Sequence, residues 1–243
     1  MRNKKILLKA MPINSSFTKS SYRIEVKEVF SCSDLYKIEK AIRSSSFAFY
    51  TAYPNRRINS LYFDNHQYEY LTDSMEGNSL RIKKRIRWYG QSTDKCMSTL
   101  EIKRKQGYLS WKESYKDSHI LNPYSTDWKD FIIQKKNQSL PHHKLLNLQP
   151  KSIVCYDRSY YCSFDRKIRI TVDQNITTLD QSKFHTPNLT NRRPQLNIVV
   201  VEVKIDKDNS SLLRSVTKEL PFSPKRFSKY CESILPSHNN CMI

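Results

Sequence analysis

Three Glu-x-Lys triplets, Glu25-x-Lys27, Glu101-x-Lys103 and Glu202-x-Lys204, fall in three strand-like segments far apart in the chain. A β-strand repeats every two residues, so each triplet puts a carboxylate and an ammonium on one face. A fourth segment, Leu80 to Trp88, sets Arg81, Lys83, Arg85 and Arg87 on one face and Leu80, Ile82, Ile86 and Trp88 on the other. A half-exposed antiparallel strand shows the same alternation, with apolar residues inward and charge toward water. Solvent faces intersperse both signs, however, and the Arg81 to Arg87 face carries four cations and no acid. A generic wet surface does not require the recurring triplets either. If the charged faces converge, they form a space dense in cations with a few carboxylates, suited to polyanionic phosphate and a divalent metal.

Composition narrows the choice. The chain has 243 residues, with 42 Lys+Arg against 23 Asp+Glu and a formal charge of +19. That length fits one large domain or at most two small ones, and the lack of a Pro/Gly/Ser-rich linker favours one; the field favours anionic partners such as nucleotides, polyphosphate, nucleic acid or an anionic membrane. Gly77, Gly90 and Gly107 are the only glycines. A Rossmann fingerprint and a Walker loop both need clustered glycines and are excluded, so phosphate must be held by side chains. The six cysteines show no C-x-x-C or zinc spacing, which points to a reduced, cytoplasmic protein. No segment has the roughly 18 apolar residues needed to span a bilayer, and Ile6-Leu7-Leu8 is too short for a signal-peptide core.

Residues 1–20 read as a basic tail, 21–235 as the folded domain and 236–243 as a C-terminal tail. Strands are predicted at 21–30, 58–63, 80–88, 98–105, 108–115, 152–161, 167–173 and 198–206. Leu35, Ile38 and Ile42 keep helical spacing after a cap at Ser33 or Asp34. Further helices are expected near Tyr68 and Leu71, twice within 127–148 around Pro141, at 212–220 and at 226–235, with a mobile loop over 180–194. The pattern predicts an α+β fold, a closed antiparallel β-barrel tunnel of about eight strands with peripheral helices. Interiors at that strand number just admit side chains or one small ligand. Helices would cover the apolar strand faces while the charged faces point into a wet lumen, because buried cations need water or counter-charge.

These segments together resemble the VTC domain, the polyphosphate polymerase branch of the triphosphate tunnel metalloenzymes, also called CYTH-like. The resemblance spans roughly 21–235. It rests on Tyr22-Arg-Ile-Glu-Val-Lys27, Ser60-Leu-Tyr-Phe-Asp64, Arg85-Ile-Arg-Trp-Tyr-Gly90, Leu100-Glu-Ile-Lys-Arg-Lys105, Ile168-Arg-Ile-Thr-Val-Asp173, Val201-Glu-Val-Lys204 and Arg226-Phe-Ser-Lys-Tyr230. It implies transfer of the ATP γ-phosphate to polyphosphate in a tunnel holding Mn²⁺ or Mg²⁺. Lys27, Lys83, Arg85, Arg87, Lys103, Lys112, Arg158, Arg169, Lys204 and Lys229 would bind phosphate. Arg85, Arg87, Lys103 and Arg169 among them would stabilise the transition state. Glu202 would hold the metal, with Glu25 and Glu101 assisting through water or by orienting lysines. The residues alone leave two other readings open. One is a metal-dependent hydrolase of inorganic triphosphate, a nucleotide or an RNA 5′-triphosphate. The other is a non-catalytic binder of polyphosphate or RNA, although no RNP or KH pattern is present.

Overall fold

The computed structural model describes residues 17–90, 96–121, 127–128, 145, 147–193 and 196–235. The strands are β1 (Phe17–Lys19), β2 (Arg23–Ser31), β3 (Tyr50–Asp64), β4 (Leu80–Tyr89), β5 (Cys96–Gln106), β6 (Leu109–Leu121), β7 (Gln149–Cys162), β8 (Ile168–Asp180) and β9 (Ile198–Asp206). Every pairing is antiparallel, in the order β1-β6-β2-β9-β8-β7-β3-β4-β5, and β5 returns to β6. Eight strands therefore close into a barrel. The helices are α1 (Leu35–Arg43), α2 (Glu69–Glu76), α3 (Leu212–Glu219) and α4 (Lys229–Ile234).

Closure is uneven. The β5–β6 hairpin pairs from Gln106↔Leu109 to Cys96↔Leu121, turning at Gly107, whose positive φ of 58° suits a tight hairpin. The seam between β6 and β2 has only two register pairs, Arg23↔Ser110 and Ile24↔Leu109. Strand β1 continues along the same edge of β6 from Phe17↔Tyr115 to Lys19↔Glu113.

Alternation along the strands sorts the side chains. The outward row Val199, Val201, Val203 and Ile205 of β9 joins Ile168, Ile170 and Val172 of β8 under Ile38 and Ile42 of α1 and Val216 of α3. Leu61, Ile86, Trp88, Leu100, Ile102 and Ile153 face outward on the other side, packed with Trp128, Leu145 and Leu148. Burying these rows supplies the main driving force, since apolar area removed from water contributes roughly 25 cal/mol per Å². A third cluster lies inside. Ile58, Val154, Ile176 and Val200 meet Leu71 of α2 and Tyr230 of α4, giving part of the interior an apolar floor.

The predicted strands and most helices are present, with differences. Phe17–Lys19 is a strand inside the stretch read as tail; residues 1–16, the tail 236–243 and most of 127–148 lie outside the described residues. Strand β3 begins at Tyr50, eight residues before the predicted start. Pro54 hid it, and the register there is irregular between Tyr53 and Arg56, the kind of bulge that tolerates proline in a strand. Strand β8 runs on to Asp180. Segment 181–193, expected to be mobile, is anchored by buried Gln181 and Asn188. Asn188 N donates to Gln181 Oε1 at 2.8 Å, and Gln181 Nε2 donates to the Asn188 carbonyl at 2.8 Å. Asp34 holds the N-cap position of α1, as expected, but makes no side-chain capping bond; Ser31 caps the short 3₁₀ turn ahead of it, accepting from Ser33 N. Cys32, Cys155, Cys162 and Cys231 are free thiols. Among the described residues no helix is long and apolar enough to cross a membrane.

Candidate functional site

The inward rows of the strands enclose a cavity of about 210 Å³. Of its eighteen lining residues, ten are lysine or arginine and two are glutamate. Lys27, Lys83, Arg85, Arg87, Lys103, Lys112, Arg158, Lys204, Lys229, Glu25 and Glu202, all singled out from sequence, line it. Glu101, on the same face of β5 as Lys103, is 3% exposed and does not itself line the cavity. Arg169 stands apart: its side chain is 44% exposed and pairs with Asp206 at 3.3 Å, away from the lining. Its parity on β8 is inward and its register partner on β9 is the cavity-lining Lys204, but its side chain turns to Asp206 and does not line the cavity.

Register concentrates like charge. Lys83 on β4 stands directly opposite Lys103 on β5, and Lys103 opposite Lys112 on β6. Like charges directly opposite one another across a sheet are destabilising, so folding alone gives no reason for this row. Four carboxylates hold the cations in place. Glu101 meets Arg85 at 2.7 Å, Lys112 at 2.6 Å and Arg87 at 3.5 Å. Burial would raise its pKa, but Arg87, Arg85 and Lys112 prevail and hold it well below the usual range. Glu202 bridges Lys27 at 2.9 Å and Lys204 at 2.7 Å, and its carboxyl is likewise held low against burial, by Lys204 and Lys27 above all. Glu25 pairs with Lys103. Asp173, fully buried, takes Arg158 Nη2 at 2.6 Å and Lys229 at 2.6 Å.

Three tyrosines complete the wall. Arg85 donates to Tyr62 Oη at 3.0 Å and Arg87 to Tyr156 Oη at 3.1 Å. Burial alone would raise the Tyr156 pKa, yet Arg87 and Arg158 lower it to about 8. Tyr62 stacks on Tyr230 at 5.2 Å, and Tyr230 Oη donates to Asp64 Oδ2 at 2.7 Å. Asp64 also accepts from the backbone of Tyr70 and Leu71, at the start of α2. This chain of contacts docks α4, whose first residue, Lys229, thereby reaches Asp173.

Sequence reasoning gave no role to Asp173, Tyr62, Tyr156, Tyr230 or Ser228. Asp173 shares Arg169's parity, and Tyr156 lies two residues before Arg158, so strand period could have found both. Ser228 caps α4 and accepts from Lys83 Nζ at 2.7 Å; only the fold brings those two together.

Burial, with the charges of Lys27, Lys103 and Arg81 adding to it, pushes Lys83 down to about 7. It is therefore largely uncharged at pH 8, and a polyanion in the cavity restores its affinity for a proton. Binding of tripolyphosphate at pH 8 should take up about one more proton in the wild type than in Lys83→Met. Calorimetry in two buffers of different ionisation enthalpy measures this, and affinity should fall as pH rises above 7.

The donors for a metal are few. No group of three His, Cys, Asp or Glu suited to a metal occurs among the described residues. Glu25 shares the cavity with Glu202; burial would raise its pKa and Glu202 adds to this, but Lys103, Lys204 and Lys27 outweigh both and hold it low. Two carboxylates suit Mg²⁺, which commonly takes one or two of them with the rest of its shell from phosphate and water. Next to the cavity, a wider groove of about 810 Å³ shares Glu25, Lys27, Lys103 and Ser228 with it and adds Arg81, Lys105, Lys225 and Arg226.

An antiparallel ring walled on the inside by lysine and arginine is the architecture of the triphosphate tunnel proteins. The chain belongs to the VTC domain family, whose model matches residues 22–238. No curated protein sequence matches it. Among solved structures it is similar to a Hippeastrum protein, proposed to be an adenylyl cyclase and described as having a dominant triphosphatase activity, at 13% identity and a TM-score of 0.50, over 91% of this chain and 100% of that one. It is also similar to a Vibrio parahaemolyticus protein proposed to be an adenylate cyclase, at 11% identity and a TM-score of 0.46, over 86% and 95%. At 13% identity the likeness to the Hippeastrum protein is one of fold.

Proposed function

We propose that this chain is an ATP-dependent polyphosphate polymerase, in which the terminal phosphate of a growing chain attacks the γ-phosphate of ATP and releases ADP. The observation that carries phosphate binding and transfer is the unbroken row Lys83, Lys103 and Lys112, set beside Arg85, Arg87 and Arg158 in one cavity. Phosphoryl transfer spreads charge over non-bridging oxygens, so catalysis is mostly positioning and electrostatic stabilisation. Arg85 and Arg87 grip oxygens through forked donors, and the lysines act as point charges. Lys103 and the two arginines stabilise charge on the transferring group, and Arg158 with Lys229 holds the neighbouring phosphate. The role given to Arg169 becomes capture at the rim, given its exposed position.

Glu202, with Glu25, is the carboxylate pair that would hold Mn²⁺ or Mg²⁺, and Glu101 orients Arg85 and Arg87. A bound divalent ion supplies charge neutralisation on the phosphate oxygens and the leaving diphosphate. The groove beside the cavity offers further cations to a chain too long for the cavity itself. Family membership and the fold support a triphosphate ligand, and the polymerase reading rests on the VTC family.

The test is to incubate the purified chain with labelled ATP and Mn²⁺ and to resolve polymer, free phosphate and remaining ATP. Long polymer is the expected product. Free phosphate instead would make the chain a triphosphatase, the activity described for the Hippeastrum protein. Salt-sensitive retention without turnover would make it a polyanion binder.

A further inference from the structure

Beyond the cavity, the inward rows of β4, β7 and β3 end in tyrosines. Tyr89 lies one same-face step past Arg87 on β4, and Tyr160 one such step past Arg158 on β7. Tyr53 on β3 is the register partner of Tyr160, and the two rings meet edge to face at 5.6 Å. The Arg56 guanidinium lies 5.5 Å from the Tyr53 ring centre, 5.8 Å from Tyr89 and 5.9 Å from Tyr160. The group is open to a ligand: Tyr53 is 57% exposed and Tyr89 44%. Beside it, Thr171 stands opposite Tyr160 on β8, and its hydroxyl is buried with no hydrogen-bond partner.

We infer that Tyr53, Tyr89 and Tyr160, with Arg56, form a stacking platform for the nucleobase of a nucleoside triphosphate whose phosphates lie on Arg87 and Arg158. The inference rests on the triphosphate reading above and adds the nucleoside end of the ligand. The spacing is right for it. One same-face step along a strand is roughly 7 Å, which leaves room for a ribose between phosphates held at Arg87 and Arg158 and a base lying on the tyrosines. Every base has a π-face, so aromatic rings hold bases with little sequence preference, and arginine adds cation–π attraction and a planar fork. Tyrosines serving only to pack a surface arginine would need neither the inward parity nor the alignment with two cavity arginines.

Comparing inorganic tripolyphosphate with ATP isolates the nucleoside, because the first has every phosphate and no base. In calorimetric titrations of the full chain, Tyr89→Ala/Tyr160→Ala should weaken ATP on the order of tenfold and leave tripolyphosphate within about twofold, given what one base–aromatic stack contributes. Unchanged tripolyphosphate binding also shows that the variant is folded. Tyr89→Phe/Tyr160→Phe keeps the rings and should keep ATP affinity. Equal losses for both ligands, or no loss for ATP, would overturn the platform and leave the tunnel reading standing. Wild-type protein that binds neither ligand would overturn both.

Discussion

Arg85→Ala/Arg87→Ala is expected to abolish turnover of ATP, with a loss on the order of 10⁴-fold or more, since removing one preorganised donor to a developing anion already costs roughly 10²–10³. Both guanidinia line the cavity, and each is aimed by two kinds of partner: Glu101 with Tyr62 for Arg85, Glu101 with Tyr156 for Arg87. They arrive aligned, with little rotamer freedom left to lose in the transition state. The fold should survive. Glu101 keeps Lys112 at 2.6 Å, so the deletion leaves no buried carboxylate without a counter-charge, and it thins a crowd of like charges. Steady-state rates and a melting curve on the same sample check the prediction. Collapse of the melting curve would assign the pair a structural role.

Much of this site was legible because strand period two is such a strong signal. Alternation alone set Lys83, Arg85 and Arg87 on one face of β4 and Ile86 with Trp88 on the other, and the barrel keeps that division. What alternation does not carry is depth along the lumen. Arg169 and Asp173 share one face of β8, yet Asp173 is buried among the cations while Arg169 emerges at the rim. Depth depends on strand tilt and stagger, which the register of neighbouring strands fixes. The seam of two pairs between β6 and β2 shows how non-local that information is. The tyrosines were obscured for another reason. Strand β7 is apolar on both faces over Ile153 to Tyr156, so Tyr156 reads as core until Arg87 is seen donating to it. In β3 the proline hid the stretch that carries Tyr53 and Arg56. Contacts such as Lys83 with Ser228, separated by 145 residues, leave no trace in local pattern at all.

Asp173→Asn should be the most destabilising single substitution in the cavity wall, at about 3 kcal/mol near neutral pH, the low end for removing one member of a buried ionic group. Asp173 has no exposed surface and is the counter-charge for both Arg158 and Lys229, whose side chains are 10% and 9% exposed. Asparagine preserves the shape but leaves two cations facing a neutral amide, and the water-accessible cavity keeps the loss from running higher. For a chain of this length the melting temperature should drop by roughly 6–12 °C. Protonation should do the same to the wild type. Burial favours the neutral acid, but Arg158 and Lys229 outweigh it and depress the Asp173 pKa. The stability it confers is thus complete above the ordinary carboxylate range, and it is lost progressively as pH falls from there to the lower folded-state value. A polyanion should reverse the sign of the comparison. Tripolyphosphate supplies the negative charge that the asparagine removed, so it should bind the variant more tightly and raise its melting temperature by more than it raises that of the wild type. Equal ligand-induced shifts in the two proteins would mean that Arg158 and Lys229 do not contact the bound phosphates, and that Asp173 serves the fold alone.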